Sequence, residues 1–268
     1  MNTKYTLVTG ATGGLGNAFC RELLKLNKNL ILTGTKQEKL DKWKNTLLEE
    51  FKGQDIEVFP CDLSSKSSRD KLFEYITENK FEIEMLINNA GYITEGSIKH
   101  ANSDTLLKCI QVNCEGVIDL TKFILDNKKT DGQLNIITIS SMAGDCPMPY
   151  MAIYSATKAF ESNFMTSLRL EYKKENVKVL VVKPGAIATS QEMIDAIKAQ
   201  GLKGKLSAVP ADKIAKNSIK KSLKGKKQYI PGFFNKLTSF ASLFATKNYQ
   251  AKVVAKIWKK SQEKRDIE

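Results

Sequence analysis

Tyr154 and Lys158 stand four apart in Tyr154-Ser155-Ala156-Thr157-Lys158, within a stretch of helical periodicity, and so share one helix face. A tyrosine hydroxyl, with a pKa near ~10, is a poor acid at neutral pH. An ammonium beside it favours the phenolate and lowers that value. The phenol can then hand a proton to an oxygen on which negative charge is developing. A Tyr–Lys pair at this spacing is common on helix surfaces and carries little by itself. Ser141 gives it weight: it ends an apolar strand upstream, in Ile139-Ser140-Ser141-Met142-Ala143-Gly144, and its hydroxyl can hold a carbonyl oxygen. The single histidine, His100, argues against a histidine base. The cysteines are Cys20, Cys61, Cys109, Cys114 and Cys146, with no pair at zinc-site spacing, and read as small buried hydrophobes kept reduced.

A second pattern lies near the N-terminus. Thr9-Gly10-Ala11-Thr12-Gly13-Gly14-Leu15-Gly16 falls between a short apolar strand and a helix. Glycines there let the backbone turn tightly and approach a pyrophosphate, which the N–H groups at the helix start then face. The second strand ends Leu32-Thr33-Gly34-Thr35-Lys36, with Gly34 where a ribose-binding acid is expected for NAD. Thr35 can donate a hydrogen bond and Lys36 supplies charge for a 2′-phosphate. NADP is therefore the expected cofactor, with NAD the other candidate if the loop brings Glu38 to the ribose.

The elements that must position these groups alternate. Strands are expected at Tyr5–Thr9, Asn29–Thr33, Ile56–Cys61, Met85–Asn88, Leu134–Ser140 and Val177–Lys183. Helices are expected at Asn17–Leu26, Gln37–Phe51, Arg69–Asn79, Thr105–Leu125 and Tyr154–Tyr172. That order predicts an α/β fold, a doubly wound parallel sheet of Rossmann type covered on both faces, with right-handed crossovers. The 268 residues suffice for one such domain, 1–268, with a C-terminal helical tail. No stretch reaches the ~20 apolar residues of a membrane span, and the start shows no hydrophobic signal segment, so a cytoplasmic location is expected. The net charge is +13, yet 198–268 alone carry +14, from 18 basic and 4 acidic residues. Such asymmetry points either to an anionic partner or simply to a lysine-rich composition.

Taken together, the set resembles the short-chain dehydrogenase/reductase family in its single-domain, roughly 250-residue form. The resemblance runs from Thr9 to Thr189. It comprises the glycine loop, Asp62, Asn88-Asn89-Ala90-Gly91, Asn113, Ser141, Tyr154, Lys158, and Pro184-Gly185 with Thr189. It implies that Asn113, Ser141, Tyr154 and Lys158 are catalytic, with Asn113 binding a water that links Lys158 to solvent. It implies a cofactor site built from Gly10, Thr12, Gly13, Gly14, Leu15 and Gly16 at the phosphates and Thr35 and Lys36 at the 2′ position. Asp62 and Leu63 would sit at the adenine, and Asn89, Ala90 and Gly91 along the channel. Tyr154 and Lys158 would flank the nicotinamide ribose, and Pro184, Gly185, Ile187 and Thr189 the nicotinamide. Relatives using NADP often carry a basic residue before the second loop glycine; here that residue is Gly13. The family reaction is interconversion of a ketone and an alcohol, and pairing of the long helices implies a homodimer or homotetramer.

Substrate preference falls to variable segments. Residues 190–206 are expected to form a lid, and Met142, Ala143, Pro147, Met148, Met151, Ile187 and Met193 an apolar pocket. Relatives with a similar tail act on ketoacyl and steroid ketones, so a hydrophobic ketone is expected. In the basic tail, 233–268, Phe233, Phe234, Phe240, Leu243 and Phe244 precede a helix expected at Ala251–Gln262. That segment either docks on an anionic membrane or acidic partner, or packs its apolar side on the domain with lysines in water. A nucleotide-binding interaction protein without turnover is the main alternative from another class. Nucleic-acid binding has no recognition motif to support it, and a sugar-nucleotide epimerase fits the glycine spacing less well.

Overall fold

The computed structural model describes residues 4–129, 132–187 and 206–265, and the side chains of residues 257–265 are outside the description. Seven parallel strands form one sheet in the order β3-β2-β1-β4-β5-β6-β7. They are β1 Lys4–Thr9, β2 Asn29–Gly34, β3 Ile56–Pro60, β4 Glu82–Asn88, β5 Leu134–Ile139, β6 Val177–Val182 and β7 Gln228–Tyr229. The order reverses between β1 and β4, and open α/β sheets leave a crevice outside the strand C-termini at such a point.

The strands are near-continuous apolar runs because both faces are covered. Alternation divides their side chains between two cores. From β1, Val8 packs with Leu15 and Phe19 of α1 (Gly14–Leu24), Leu40 and Leu47 of α2 (Gln37–Glu50), and Ile214 and Ile219. Its neighbour Leu7 packs on the other face with Leu72 and Ile76 of α3 (Lys66–Glu78), and with Leu120 and Met165. In β5, Ile137 and Ile136 divide in the same way.

The helix expected at Thr105–Leu125 is three segments. α4 (Ser103–Ile110) passes through a π turn at Gln111–Glu115 into α5 (Gly116–Asp126). In the turn the Gly116 N–H reaches back five residues to the Gln111 carbonyl, which inserts one residue and rotates α5 about the helix axis relative to α4. The other long helix, α6 (Ala152–Glu171), packs against α4 and this turn.

Beyond β6 the sequence-based expectation stopped short. α7 (Ala211–Leu223) covers α1 and β6, and β7 adds an edge strand. α8 (Phe233–Ser242) comes next, and the tail helix α9 (Lys247–Arg265) starts four residues before the expected Ala251. On α8, Phe233, Leu237 and Phe240 are exposed, as are Leu243 and Phe244 just after it. The inner side of α8 buries Asn235, which donates to the Ser207 and Pro231 carbonyls. Among the described residues no helix is long and apolar enough to cross a membrane. The expected lid lies outside the described residues apart from Leu206, as does Met193.

Candidate active site

The glycine loop is shaped by close backbone approach. Gly10 has φ +62°, and a Cβ there would lie 2.9 Å from the Ala90 Cα; at Gly16 one would lie 2.1 Å from the Gly10 carbonyl oxygen. The end of β4 clamps the loop. The Thr9 hydroxyl oxygen accepts from the Asn89 and Ala90 amides at 3.0 and 2.9 Å, and the Asn89 carboxamide donates to the Thr9 and Gly10 carbonyls. α1 starts after Gly13 without a side-chain cap, so its first N–H groups are left for an anion.

This loop forms one wall of a cleft of about 660 Å³ at the sheet's switch point. Gly10, Thr12, Gly13, Gly14, Leu15 and Gly16 line it together with Thr35, Asp62, Leu63, Asn89, Ala90 and Gly91. Pro184, Gly185 and Ile187 close the far side, towards Ser141, Tyr154 and Lys158. Lys36 stands exposed at the N-cap of α2, beside Thr35 but outside the lining. Thr189 lies outside the described residues. The uncapped helix start, the crowded glycine backbone and the absence of a carboxylate where β2 meets the cleft suit a phosphorylated dinucleotide. Asp62 is partly buried, which raises its pKa, but the Ser64 hydroxyl and amide and the Lys108 ammonium hold it below the usual carboxylate range. Lys108 lies 3.6 Å from Asp62 and lines the cleft with Tyr92 and Ile93, three residues that the sequence motifs do not single out. Periodicity does show Lys108 to lie one turn before Val112, which also lines the cleft.

Ser141, Tyr154 and Lys158 meet where β5 ends against α6. Ser141 caps the 3-10 turn Met142–Asp145, its oxygen accepting from the Ala143 amide, so its hydroxyl proton is free to point at a substrate oxygen. The adjacent Ser140 donates to the Lys158 carbonyl at 2.7 Å, pinning α6 to β5. The Lys158 ammonium is buried 5.8 Å from the Tyr154 ring centroid. It donates to the Ile139 carbonyl at 2.9 Å and to both oxygens of Glu161 at 2.8 and 3.0 Å. Burial opposes the charge on Lys158, but Glu161 and Tyr154 together outweigh it and leave its pKa raised.

Asn113 sits in the π turn, near the cleft but not in its lining. It is fully buried behind the cleft, and the π turn aims its carboxamide at the main chain of Tyr92. Its oxygen accepts from the Tyr92 amide at 2.8 Å, and its nitrogen donates to the Tyr92 carbonyl at 2.9 Å and the Thr157 hydroxyl at 3.0 Å. With both ends of the side chain engaged, Asn113 fixes the segment after Gly91 that faces Lys158. Among the described residues there is no cluster able to hold a metal ion.

A second cavity, of about 540 Å³, shares Ile93 with the cleft and is lined by Met151, Ile153, Ile98 and Leu106. Of the residues expected to make an apolar pocket, Met151 lines this cavity and Ile187 the cleft. Tyr150 at its rim has φ +67°, held by its carbonyl accepting from the Gly96 amide.

Residues 4–200 match the model of the short chain dehydrogenase family. A dehydrogenase/reductase SDR family protein 7-like from Anopheles gambiae is 30% identical over 215 residues, 79% of this chain and 68% of that one. The Bos taurus very-long-chain 3-oxoacyl-CoA reductase is 32% identical over 69% of this chain and 60% of its own length. For human 17-beta-hydroxysteroid dehydrogenase type 3 the figures are 30%, 70% and 60%. Such matches span only about three-fifths to two-thirds of these relatives. Among solved structures, a Sphingobium yanoikuyae short-chain dehydrogenase in complex with NADPH superposes with TM-score 0.75 at 23% identity, covering 89% of this chain and 91% of that one. A 7beta-hydroxysteroid dehydrogenase does so with TM-score 0.81 at 20% identity, covering 94% and 96%. The chain belongs to the short chain dehydrogenase family, whose members are NAD(P)-dependent oxidoreductases.

Proposed function

We propose that the protein is an NADP-preferring oxidoreductase that reversibly reduces an apolar ketone, of 3-oxoacyl or steroid-like kind, to a secondary alcohol. One observation carries this reading: Ser141, Tyr154 and Lys158 open into the same cleft as the glycine loop. The bound dinucleotide supplies or accepts the hydride. The loop Gly10–Gly16, clamped by Thr9 and Asn89, and the start of α1 would hold its pyrophosphate, and Thr35 with the nearby Lys36 would meet its 2′-phosphate. Ser141 donates its hydroxyl proton to the substrate oxygen and orients it. Tyr154 transfers its phenolic proton to that oxygen as negative charge grows there. Lys158 stabilises the resulting phenolate and holds the ribose. Pro184, Gly185 and Ile187 shield the reacting face from water. The NADPH in a similar fold, and relatives named for 3-oxoacyl-CoA and 17-beta-hydroxysteroid substrates, support the choice of cofactor and substrate.

The test is cofactor turnover by the full chain, with NADPH and NADH, against a panel of 3-oxoacyl thioesters, steroid ketones and small polar ketones. Preferential oxidation of NADPH with an apolar ketone is expected. Tight NADPH binding with no turnover of any ketone would favour a nucleotide-binding interaction protein instead.

A further inference from the structure

Glu161 has no part in the mechanism above, yet it is a carboxylate buried beside the site. It is 1% exposed and Lys158 4%. Both of its oxygens face the Lys158 ammonium, at 2.8 and 3.0 Å, and among the described residues that ammonium is its one hydrogen-bond partner. With the Ile139 carbonyl, the carboxylate gives the ammonium three acceptors for its three N–H groups, all on the protein side of the cleft. The titratable groups around Glu161 are Lys158 and Tyr154 on its own helix, Cys109 on α4 and Cys114 on the π turn. β5 presents the Ile139 carbonyl to the pair. Both thiols sit above their ordinary range, chiefly through burial, and are neutral at physiological pH. Only the ammonium balances the carboxylate.

We propose that Glu161 is a positioning residue for Lys158: as a carboxylate it holds the ammonium on the protein side, and on taking up a proton it releases the ammonium to Tyr154 and to the ribose of a bound dinucleotide. This inference rests on the reading of the cleft as a dinucleotide site. An ionised carboxylate in so dry a place costs several kcal/mol of lost hydration. The ion pair offsets that only while the lysine stays, so the two arrangements lie close together. Burial pushes Glu161 up to about 7, against the pull of Lys158, which places the exchange within the physiological range. The proton comes from solvent and returns to it, and no bond other than O–H is made or broken. Ionised Glu161 also cancels the field of Lys158 at Tyr154, and neutral Glu161 restores it.

The experiment compares the native chain with Glu161→Gln, which keeps shape and removes charge. NADPH affinity is read by cofactor fluorescence from pH 5.5 to 8.5, and the pH profile of alcohol oxidation is read alongside. In the native protein NADPH binding is expected to weaken several-fold as pH rises through about 7; in Glu161→Gln that step is absent. The cofactor's own phosphate titration is common to both proteins and cancels. In the oxidation direction the Tyr154 phenolate is the base. With the ammonium uncompensated, the pH profile of oxidation in Glu161→Gln should differ from that of the native protein. Glu161→Asp keeps the charge and should retain a step. If Glu161→Gln does not fold, Glu161→Met removes the charge in an unbranched apolar chain and serves the same comparison. Identical pH dependence of NADPH binding in the charged and uncharged proteins overturns the proposal. Absence of NADPH binding at every pH instead overturns the assignment of the cleft.

Discussion

A hydroxyl on Tyr154 and a buried ammonium four residues later can move one proton, and the rest of the site keeps them where that proton is wanted. Tyr154→Phe removes the proton and leaves the ring packing, so cofactor affinity should persist while turnover falls by about 10²–10⁴-fold, the usual range for a general acid. Steady-state rates beside NADPH titration separate the two, and near-native turnover would refute the mechanism. At the other end of the cleft, Lys36 is the only positive charge adjoining Thr35 in sequence. Lys36→Ala should weaken NADPH by about tenfold, the worth of one charged hydrogen bond at an exposed position, and leave NADH nearly unchanged. Equal loss for both would remove Lys36 from the recognition of the 2′-phosphate. Both groups were legible in the sequence, because a motif records which residue types recur at fixed spacing. Glu161 was not, although its place three residues after Lys158 was visible. Spacing puts two side chains on one face, and only packing shows that α4 and the π turn bury that face.

Among the elements, the π turn at Gln111–Glu115 has the clearest functional consequence. It directs Asn113 inward, where the carboxamide replaces hydrogen bonds that the Tyr92 main chain lacks at the end of β4. Asn113→Ala leaves that buried amide and carbonyl unmet, at about 1–3 kcal/mol for each unsatisfied group. Urea unfolding should register a loss of about 2–4 kcal/mol, and cofactor binding should weaken as the Gly91–Tyr92 segment loosens. Unchanged stability would mean that water replaces the carboxamide. The sequence showed a long helix here but not the turn within it, since Gln-Val-Asn-Cys-Glu continues the helical apolar spacing. The strands β1, β2, β5 and β6 were found to within a residue or so, because burial on both faces writes them as apolar runs. α7 escaped notice because few of its thirteen residues are apolar and buried, chiefly Ile214, Ala215 and Ile219, among many lysines. β7 is two residues long, too short for any period to show.

At the scale of the whole molecule, two surfaces remain to be accounted for. Leu107, Ile118 and Leu170 are exposed on α4, α5 and α6. Burying such side chains between two copies would contribute about 1.5–3 kcal/mol for each one fully covered. A homodimer or homotetramer is therefore expected, and light scattering at micromolar concentration giving a 30.0 kDa particle would contradict it. The other surface is the exposed stripe of α8, with Lys236 on the same helix and Lys247 just after it. The chain should sediment with anionic vesicles and not neutral ones and lose that binding at high salt, and ending it at Lys247, which keeps the stripe and removes the lysines of α9, should weaken the salt-sensitive part. Indifference to lipid charge would leave the stripe to another occupant.

The uneven charge of the chain has a consequence that acts before any contact is made. With +14 on residues 198–268 and −1 on the remainder, any separation of the two in space gives the molecule a dipole. An anionic surface exerts a torque on a dipole as well as a pull, so the protein should turn during approach and arrive with its basic end leading. The basic residues are divided between two places: α8, with Lys236, adjoins the cleft, since Asn235 touches Gly185 and Ser239 donates to Asp145 in the turn capped by Ser141, whereas the end of α7 meets the beginning of β6 at the opposite edge of the sheet. The rotation would begin about one Debye length, roughly 10 Å, from the surface at 0.1 M salt, and the range shrinks as salt rises. Alignment would thus be governed by ionic strength rather than by any particular contact.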